Sequence, residues 1–412
     1  MRHPYAAAAA LALFGCASDH RPPVPARPHP RALVLVSIDG FRADYLDRAG
    51  AMRLRGLAAH GVRARWLRPV APTLTFPNHY TIVTGLYPAH HGIVGNTMRD
   101  SAIGHFAIGD TVAVRDPRWW GGEPIWVTAE KQGRRTAAFF WPGSEVPIQG
   151  VRPTWYRHYD PEVPDSVRVD QVLAWLRRPR EEAPAFVTLY FGEVDEAGHR
   201  NGPRAPQVDS AIAGVDSAIG RLQDGLLAAG LADSVDLIVV SDHGMAEADT
   251  SRLIYLDDYA DPAWLRPTEW GAMLPLRPLD GRVEEAYRAL AGRNPHLTVY
   301  RLAELPRRYH YEAGPRMAPL VAVADEGWLV TTHARRREGR LPRGMHGYDP
   351  EAPGMRALFI ARGPSFRRGA VVPPFGNVHL YALMTRLLGL RPAPGDGSLD
   401  SVPSMLVETT AR

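Results

Sequence analysis

Carboxylates and imidazoles follow the long apolar runs of this chain at the points where the runs end. Asp39 directly follows the run 32–38, and similar groups follow the runs 186–191 and 235–240 or lie farther along the chain. The set comprises Asp39, Asp195, His199, Asp242, His243 and His346. If the runs are neighbouring parallel strands, their carboxyl ends meet at one sheet edge, where open α/β sheets bind ligands. The spacing therefore predicts one polar cluster at that edge.

These six side chains have the chemistry of a metal site. Asp195 and His199 are four residues apart, so on a helical turn both point the same way. Oxygen and nitrogen ligands in this mixture suit zinc, manganese or iron, and six protein ligands are enough for two metal ions that share a nucleophile. Each residue alone has a plainer explanation, since Asp-Gly is commonly a turn and Asp-His a cap or surface pair. Their coincidence at one edge favours the metal site.

A hydroxyl group that could act as a nucleophile precedes a predicted helix. Proline is tolerated only in the first turn of a helix, so Pro77 places Thr75 just before a helix N-terminus. Backbone amides and the helix dipole favour an anion there, either an alkoxide or a phosphoryl oxygen. A hydroxyl is a weak nucleophile until a base or metal lowers its pKa, and a metal held by Asp39, Asp242 and His243 would do so. The alternative is that Thr75 is only an N-cap.

The elements that position these groups alternate between strands and helices. Apolar runs without alternation predict strands buried on both faces, and hence an α/β fold with a mostly parallel central sheet flanked by helices. In the segment 208–226, apolar residues recur at alternating steps of four and three, which indicates an amphipathic helix. A second helix is expected over 166–178. The proline- and tryptophan-rich stretch from about 253 to 341 predicts a smaller α+β insertion on this sheet.

The only cysteine, Cys16, follows a short apolar run that begins at Ala6 and ends at Phe14. This layout is typical of a secretory signal that is too short to span a membrane. The residues before Cys16 are similar to a bacterial lipobox, in which cleavage leaves an acylated cysteine, and a plain signal peptide is the alternative. The proline-rich segment behind it is expected to be a stiff tether. We predict a signal peptide over 1–15, a lipidated tether over 16–30 and a folded domain over 31–412.

Charge and composition exclude several classes of protein. The 412 residues carry a net charge of +4 at pH 7 and are 45% hydrophobic and 22% charged, the balance of a globular protein with a sizeable core. No stretch approaches the ~20 apolar residues of a membrane span, which argues against an integral membrane protein. Every basic residue except Lys131 is arginine, and we expect these arginines to be scattered rather than clustered. This argues against binding to a nucleic-acid duplex.

Eight motifs resemble those of the nucleotide pyrophosphatase/phosphodiesterase family, which belongs to the alkaline phosphatase-like superfamily and uses two zinc ions. The resemblance extends from Leu33 to about Leu399 and, with the lipobox, indicates a bacterial member. The motifs are DGFR at 39–42, TFPNHYTIVTGLYP at 75–88, HGIVGN at 91–96, FWPGS at 140–144, SDHGM at 241–245, HGYD at 346–349 and, in the insertion, IYLDDY at 254–259 and ADEGW at 324–328. The resemblance implies an alkaline phosphatase-like core that carries the insertion.

The resemblance also implies a division of the metal ligands between two zinc ions. The zinc ion that activates the threonine would be held by Asp39, Thr75, Asp242 and His243. The other zinc ion, next to the leaving group, would be held by Asp195, His199 and His346. Two zinc ions are therefore the predicted cofactors.

Further roles are implied for residues that would contact the substrate. Thr75 would be the catalytic nucleophile, and Asn96 would donate its side-chain amide to a non-bridging phosphate oxygen. Phe76 and Tyr156 fall where nucleotide-binding members stack a base, although Tyr159 is close enough to compete with Tyr156. The predicted partner is a small nucleotide or phosphodiester substrate, with membrane contact only through the lipid anchor and a location in the periplasm.

The predicted activity is hydrolysis of nucleotide phosphodiester or phosphoanhydride bonds, which releases nucleoside 5′-monophosphates through a phosphothreonine intermediate. The sequence contains no evident third metal site or cationic clamp for a phosphate dianion, which favours diesters over monoesters. The alternatives are a phosphodiesterase for choline-type or lysophospholipid head groups, a phosphate monoesterase of the same superfamily, and a binding lipoprotein that has lost its chemistry. A sulfatase is disfavoured, because that chemistry needs a cysteine or serine precursor where this chain has Thr75.

Overall fold

The computed structural model describes Met1, residues 32–339 and residues 341–407. The predicted signal peptide beyond Met1 and the tether with Cys16 lie outside the described residues. Among the described helices, none is long and apolar enough to cross a membrane.

Strands and helices alternate along most of the described chain. The strands are β1 (Ala32–Ile38), β2 (Val62–Ala64), β3 (Leu67–Arg68), β4 (Thr97–Asp100), β5 (Gly104–Ala107), β6 (Thr136–Phe139), β7 (Trp155–Arg157), β8 (Phe186–Phe191), β9 (Val235–Val240), β10 (Ala246–Glu247), β11 (Leu253–Tyr255), β12 (Met273–Leu276), β13 (Leu297–Arg301), β14 (Leu320–Ala324), β15 (Leu329–Thr331), β16 (Gly344–Met345), β17 (Phe359–Arg362), β18 (Ala370–Val372) and β19 (Phe375–Gly376). The α-helices are α1 (Met52–His60), α2 (Thr75–Thr84), α3 (Pro88–His91), α4 (Thr111–Val114), α5 (Ile125–Lys131), α6 (Asp165–Leu176), α7 (Glu193–Asn201), α8 (Pro206–Ala228), α9 (Pro262–Leu265), α10 (Val283–Leu290), α11 (His333–Glu338) and α12 (Leu380–Leu388).

Eight of these strands form the central sheet, in the order β18-β2-β17-β9-β1-β8-β6-β7. The strand β1 pairs in parallel with both β8 and β9, and β6 pairs in parallel with β7 and β8. Only β17 runs against the others in this sheet, antiparallel to both β2 and β9. The predicted mostly parallel sheet is therefore confirmed, and the carboxyl ends of β9, β1 and β8 lie side by side at its centre.

Both faces of the central sheet are buried, as the unbroken apolar runs predict. Along β1, Leu33 and Leu35 pack into one apolar cluster, while Val34 and Val36 pack into another on the opposite face. The alternation follows from the two-residue period of a strand. The predicted stripe over 208–226 is buried along α8 in the second cluster.

The segment predicted as an insertion forms two small sheets of its own. In one, β14 lies between β12 and β13 and is antiparallel to both, and in the other β11 is parallel to β15. Their apolar side chains form a separate cluster with residues of α10, including Leu274, Leu320 and Leu290. The chain then returns to the central fold through β16, which pairs with β10. The division of the chain into these domains remains a prediction.

Candidate active site

The three central strands bring the predicted carboxylates together. Asp39 directly follows β1, Asp242 lies two residues after β9, and Asp195 lies in the first turn of α7, which follows β8. Between them, Gly40 has a φ of +64°, and a Cβ atom on it would lie 2.8 Å from Oδ1 of Asp195. The backbone N–H of Gly40 donates to Asp242 Oδ1 at 3.2 Å. A glycine at this position therefore lets the three strand ends converge, because any side chain would displace Asp195.

Thr75 is the first residue of α2, one position later in the helix than the sequence predicts. Leu74 is the N-cap and makes no side-chain capping bond. Pro77 is still tolerated because it lies in the first turn, where backbone N–H groups have no partner within the helix. The hydroxyl oxygen of Thr75 lies 3.4 Å from Nε2 of His243. Thr75 is therefore not the N-cap of α2, and its hydroxyl reaches the polar cluster.

The three predicted histidine ligands share one orientation. Each ring is held by a hydrogen bond from Nδ1–H to a backbone carbonyl, which leaves the lone pair of Nε2 for a ligand. The bonds run from His199 to Gly344 (2.8 Å), from His243 to Gly244 (2.9 Å) and from His346 to Thr73 (2.9 Å). Hydrogen bonds of this kind fix the tautomer and the ring orientation of a metal-binding imidazole.

The carboxylates of the cluster have oxygen atoms that the described protein leaves without a hydrogen-bond donor. These buried atoms include Oδ1 of Asp39, Oδ1 of Asp195 and Oδ2 of Asp242. Nε2 of His243 lies 2.9 Å from Asp242 Oδ2 and 3.6 Å from Asp39 Oδ1. An imidazole lone pair facing a carboxylate at such a distance would be repelled, so either a proton on Nε2 or a bound cation must lie between the two groups. The residues therefore fit a bound metal ion.

A second group of ligand atoms adjoins the first. Nε2 of His199 lies 3.4 Å from Asp195 Oδ2, and Nε2 of His346 lies 3.9 Å from Asp195 Oδ1. The rings of His243 and His346 are stacked with centroids 3.7 Å apart, so the two groups share a boundary. The structure thus brings all six predicted carboxylate and imidazole ligands into two adjoining groups, Asp39 with Asp242 and His243 and Asp195 with His199 and His346. Two other combinations could also hold a metal ion, Asp39 and Asp242 with His79, and Asp39 and His243 with Asp195.

Burial and mutual proximity shift the pKa values of these groups strongly. Burial, together with the charge of Asp242, raises the pKa of Asp195 to about 7. Burial alone would lower the pKa of His243, but the carboxylates of Asp242 and Asp39 raise it to about 10. Burial would raise the pKa of Asp242, yet the facing imidazoles of His243 and His79 hold it well below its usual range. The cluster is thus a concentrated negative site that attracts cations or protons.

His79, for which the sequence predicted no role, is buried beside this cluster. Its Nδ1 lies 2.9 Å from the carbonyl of Thr75 and 3.3 Å from Asp242 Oδ2, and its Nε2 lies 2.8 Å from the hydroxyl of Ser37. Both ring nitrogens are engaged within the protein, so the side chain holds Thr75 and Asp242 in place. Its position four residues after Thr75 on the same helix face is the signal that could have identified it.

Asn96 lies beside the start of α2, as its predicted role requires. Its side-chain oxygen accepts a hydrogen bond from the backbone N–H of Phe76 at 3.0 Å, which leaves the NH₂ group free to donate elsewhere. The following residue, Thr97, donates its backbone N–H to Glu269 of the insertion at 3.1 Å. Glu269, for which the sequence also predicted no role, therefore anchors the loop that carries Asn96.

A cavity of about 380 Å³ opens directly above Thr75. Its lining includes Asp39, Thr75, Phe76, Arg115, Phe140, Trp141, Glu145, Tyr159, Tyr190 and Asp195. Tyr159, 53% exposed, is packed edge-on against Phe140 with the ring centroids 5.2 Å apart. Tyr156 is not part of this lining, and its ring lies instead near His158. The structure therefore brings Phe76 and Tyr159 to the same cavity as the threonine and leaves Tyr156 outside it.

Comparison with known protein families gives a match to the family described as type I phosphodiesterase/nucleotide pyrophosphatase over residues 33–349. The chain belongs to this family. The predicted family is thus confirmed, and its name is that of a group of hydrolases. The motifs that carry the resemblance begin and end close to the matched range.

Curated relatives agree with this family assignment. The chain is 37% identical over 404 residues to rat ectonucleotide pyrophosphatase/phosphodiesterase family member 3, covering 95% of this chain and 46% of the relative. It is 38% identical to the venom phosphodiesterase CdcPDE of Crotalus durissus collilineatus, covering 95% of this chain and 48% of the relative. The chain therefore spans about half the length of these curated relatives. Both are animal proteins, so a bacterial source remains a prediction.

Solved structures of the family have the same fold. The structure is similar to murine ectonucleotide pyrophosphatase/phosphodiesterase 5 in an inactive threonine-to-alanine form in complex with AMP, with a TM-score of 0.87 and 36% identity. The similarity covers 91% of this chain and 100% of the murine one. The human protein of the same name matches with a TM-score of 0.87 and 34% identity, over 92% of this chain and 100% of the other. The predicted α/β fold of the family is therefore confirmed.

Proposed function

We propose that this protein is a two-zinc phosphodiesterase and pyrophosphatase that hydrolyses nucleotide phosphodiester or phosphoanhydride bonds and releases nucleoside 5′-monophosphates. One observation carries the proposal: a single cavity contains the hydroxyl of Thr75, ligand atoms of the polar cluster and the aromatic rings of Phe76 and Tyr159. The solved relative that binds AMP in an inactive threonine-to-alanine form supports both the nucleotide and the threonine.

Two zinc ions would be held by the two adjoining ligand groups. One group would consist of Asp39, Thr75, Asp242 and His243, and the other of Asp195, His199 and His346. When bound, the ions would lower the pKa values of the threonine hydroxyl and of a water molecule and would neutralise charge on the phosphate and the leaving group. The hydroxyl of Tyr190 donates a hydrogen bond to Asp39 Oδ2 at 2.7 Å. This bond orients the carboxylate of Asp39 toward the metal ligands.

Thr75 is the nucleophile in this proposal. Its oxygen attacks phosphorus in line with the leaving group, the bond to the leaving oxygen breaks, and a phosphothreonine ester forms. Water then hydrolyses that ester, which releases the nucleoside monophosphate and restores the hydroxyl. The free NH₂ group of Asn96 donates to a non-bridging oxygen, where negative charge accumulates during both steps.

The base of the nucleotide would stack between Phe76 and Tyr159 rather than on the predicted Tyr156. Tyr159 is held in place because its backbone N–H donates to Glu145 at 2.7 Å. The same carboxylate also accepts from Arg115 at 3.1 Å. Arg115 is therefore already paired with Glu145. It is not available to neutralise the second negative charge of a phosphate monoester. This favours diesters over the monoesterase alternative.

Export from the cell is the proposed location. The curated relatives are named ectonucleotide enzymes and a venom enzyme, which supports a protein that acts outside the cytosol. In this proposal the apolar run before Cys16 directs export. Acylation of Cys16 then anchors the protein to the membrane, and the proline-rich tether holds the folded domain in the periplasm.

The test is metal content and turnover of the purified protein. We expect about two zinc ions per chain by mass spectrometry and cleavage of the p-nitrophenyl ester of thymidine 5′-monophosphate. His346→Ala should lose zinc and activity. His60→Ala is the matched control, because His60 is exposed at the end of α1 and, among the described residues, belongs to no group that could hold a metal ion. Preferential hydrolysis of p-nitrophenylphosphocholine would instead establish the head-group alternative, and a zinc-free protein without turnover would contradict the proposal.

A further inference from the structure

A second cavity, of about 1470 Å³, opens next to the polar cluster on another side. Five of its lining residues are arginines, and we call it the arginine trough. They are Arg200, Arg204, Arg252, Arg336 and Arg343. The carboxylates that line the same cavity are Glu247 and Asp249. Glu196, just outside the lining, also lies 2.8 Å from Arg200, so five arginines face three carboxylates. The trough therefore keeps an excess of two positive charges, which suits an anion rather than a neutral group.

Two of these guanidinium groups have no acidic partner among the described residues. Glu247 lies 3.8 Å from Arg204, and Asp249 lies 3.4 Å from Arg252, so both carboxylates of the trough already face an arginine. In the part of the chain that the structure describes, neither Arg336 nor Arg343 lies within 4.0 Å of a carboxylate oxygen, and both are exposed. Their planar, bidentate donors are those that bind phosphate most effectively.

The trough is joined to the metal-ligand cluster through His199. His199 is one of the residues that line the trough, and its side chain is 30% exposed. Its backbone carbonyl accepts a hydrogen bond from the backbone N–H of Arg343 at 2.9 Å. Asp195, whose Oδ2 lies 3.4 Å from His199 Nε2, lines the other cavity, the one above Thr75. The ligand group of Asp195 and His199 therefore lies between the cavity above Thr75 and the arginine trough.

We propose that the arginine trough binds an oligophosphate leaving group, such as the pyrophosphate of a nucleoside triphosphate or the distal phosphates of a dinucleoside polyphosphate. This inference rests on the proposed function and adds to it a binding site for the leaving group. Cleavage of the phosphoanhydride bond moves negative charge onto the leaving oxygen, so cations beside that group bind the transition state more strongly than the ground state. The trough should therefore raise kcat/KM for polyphosphate substrates in particular.

The expectation of scattered arginines is wrong at this place. In the sequence, five of the ten residues from 334 to 343 are arginine. The return of the chain from the insertion through β16 places Arg343 beside His199 at the end of α7, next to Arg200. Residues that are more than 140 positions apart thus face one cavity.

The test compares two substrates that differ in the leaving group. In the double variant Arg336→Gln/Arg343→Gln, the ratio of kcat/KM for ATP to kcat/KM for the p-nitrophenyl ester of thymidine 5′-monophosphate should fall about tenfold, because charge-assisted bonds to phosphate are lost. The inhibition constant of inorganic pyrophosphate should rise by a similar factor. The matched control is Arg293→Gln/Arg362→Gln, which removes two exposed arginines that line neither cavity, and it should leave the ratio unchanged.

The folded Arg336→Gln/Arg343→Gln variant could instead show an unchanged ratio and an unchanged pyrophosphate inhibition constant. That result would overturn the proposal that the trough binds the leaving group, and it would leave the proposed function intact. If the double variant does not fold, Arg343→Lys alone should weaken pyrophosphate inhibition, because lysine keeps the charge but loses the bidentate contact. A wild-type protein that cleaves neither substrate would overturn both proposals.

Discussion

The Nε2 atom of His243 lies 3.4 Å from the hydroxyl oxygen of Thr75 and 2.9 Å from Asp242 Oδ2. A hydrogen bond from its Nδ1 to the carbonyl of Gly244 prevents the ring from turning away. One imidazole therefore joins the predicted nucleophile to the carboxylates that would hold a metal ion. The nucleophile and the metal site can nevertheless be separated by mutation, because the carboxylates are positioned by their own strand ends and not by the threonine.

Removal of the Thr75 hydroxyl should separate metal binding from turnover. We expect Thr75→Ala to fold, to keep near-normal zinc content and to lose roughly 10³-fold or more of kcat, as do enzymes without their nucleophile. Thr75→Ser, which keeps a hydroxyl, is the control and should retain most of the activity. Zinc analysis and steady-state kinetics measure both properties. Substantial turnover by purified Thr75→Ala would show that no phosphothreonine intermediate is needed.

The side-chain amide of Asn96 should act in the transition state. Asn96→Asp keeps an oxygen for the backbone N–H of Phe76, which lies 3.0 Å from Asn96 Oδ1, but it removes the NH₂ donor and adds a negative charge. We expect kcat to fall about 10²- to 10³-fold, the usual cost of one lost oxyanion donor, with zinc content unchanged. Wild-type kcat in this variant would rule out the assigned role.

Base stacking should depend on Phe76 and Tyr159 and not on Tyr156. Loss of one stacking ring costs ~1–3 kcal/mol per base, or roughly 5- to 150-fold. Tyr159→Ala should therefore lower kcat/KM for nucleotide diesters and spare bis-p-nitrophenyl phosphate. Phe76→Ala should do the same with some loss of stability, because Phe76 also packs against Trp120 with ring centroids 6.1 Å apart. Tyr156→Ala is the matched control, and equal losses on both substrates would favour the head-group alternative.

Asp236 in β9 should make the protein less stable as the pH rises from about 4 to about 6. Burial raises the pKa of this carboxyl to about 6, despite its hydrogen bonds from Ser365. Between the unfolded and folded pKa values the folded state binds more protons, so the free energy of unfolding falls with rising pH, by up to about 3 kcal/mol. Asp236→Asn should raise the Tm more at pH 7.5 than at pH 4. A Tm difference independent of pH would contradict this.

Export and anchoring should depend on Cys16. If the cysteine is acylated after cleavage, the wild-type protein should fractionate with membranes and incorporate labelled palmitate. Cys16→Ser should remain unprocessed or be released in soluble form, with unchanged turnover of the nitrophenyl ester. Unmodified wild-type protein in the cytosol would exclude both the lipid anchor and the plain signal peptide.

Much of the candidate site could be predicted from the sequence because its signals are local. Buried strands are recognisable by unbroken apolar runs, and a parallel sheet brings their carboxyl ends to one edge. The positions of Asp39 directly after one such run and of Asp242 two residues after another therefore predict their proximity. Likewise, Pro77 restricts the helix start to its own turn, so the place of Thr75 was predicted to within one residue. These features could be predicted because they depend only on residues that are close together in the sequence.

Other features were decided only by contacts between distant parts of the chain. Tyr156 and Tyr159 are three residues apart and equivalent by residue type, and Tyr159 reaches the cavity because Glu145, in a separate loop, binds its backbone N–H. The pairing of His79 with Asp242 joins a helix to the end of a strand 163 residues later. The arginine trough forms only because the chain returns from the insertion and places Arg343 beside His199. A side chain's direction beyond the end of a strand is set by whatever packs against it, and that information lies far away in the sequence.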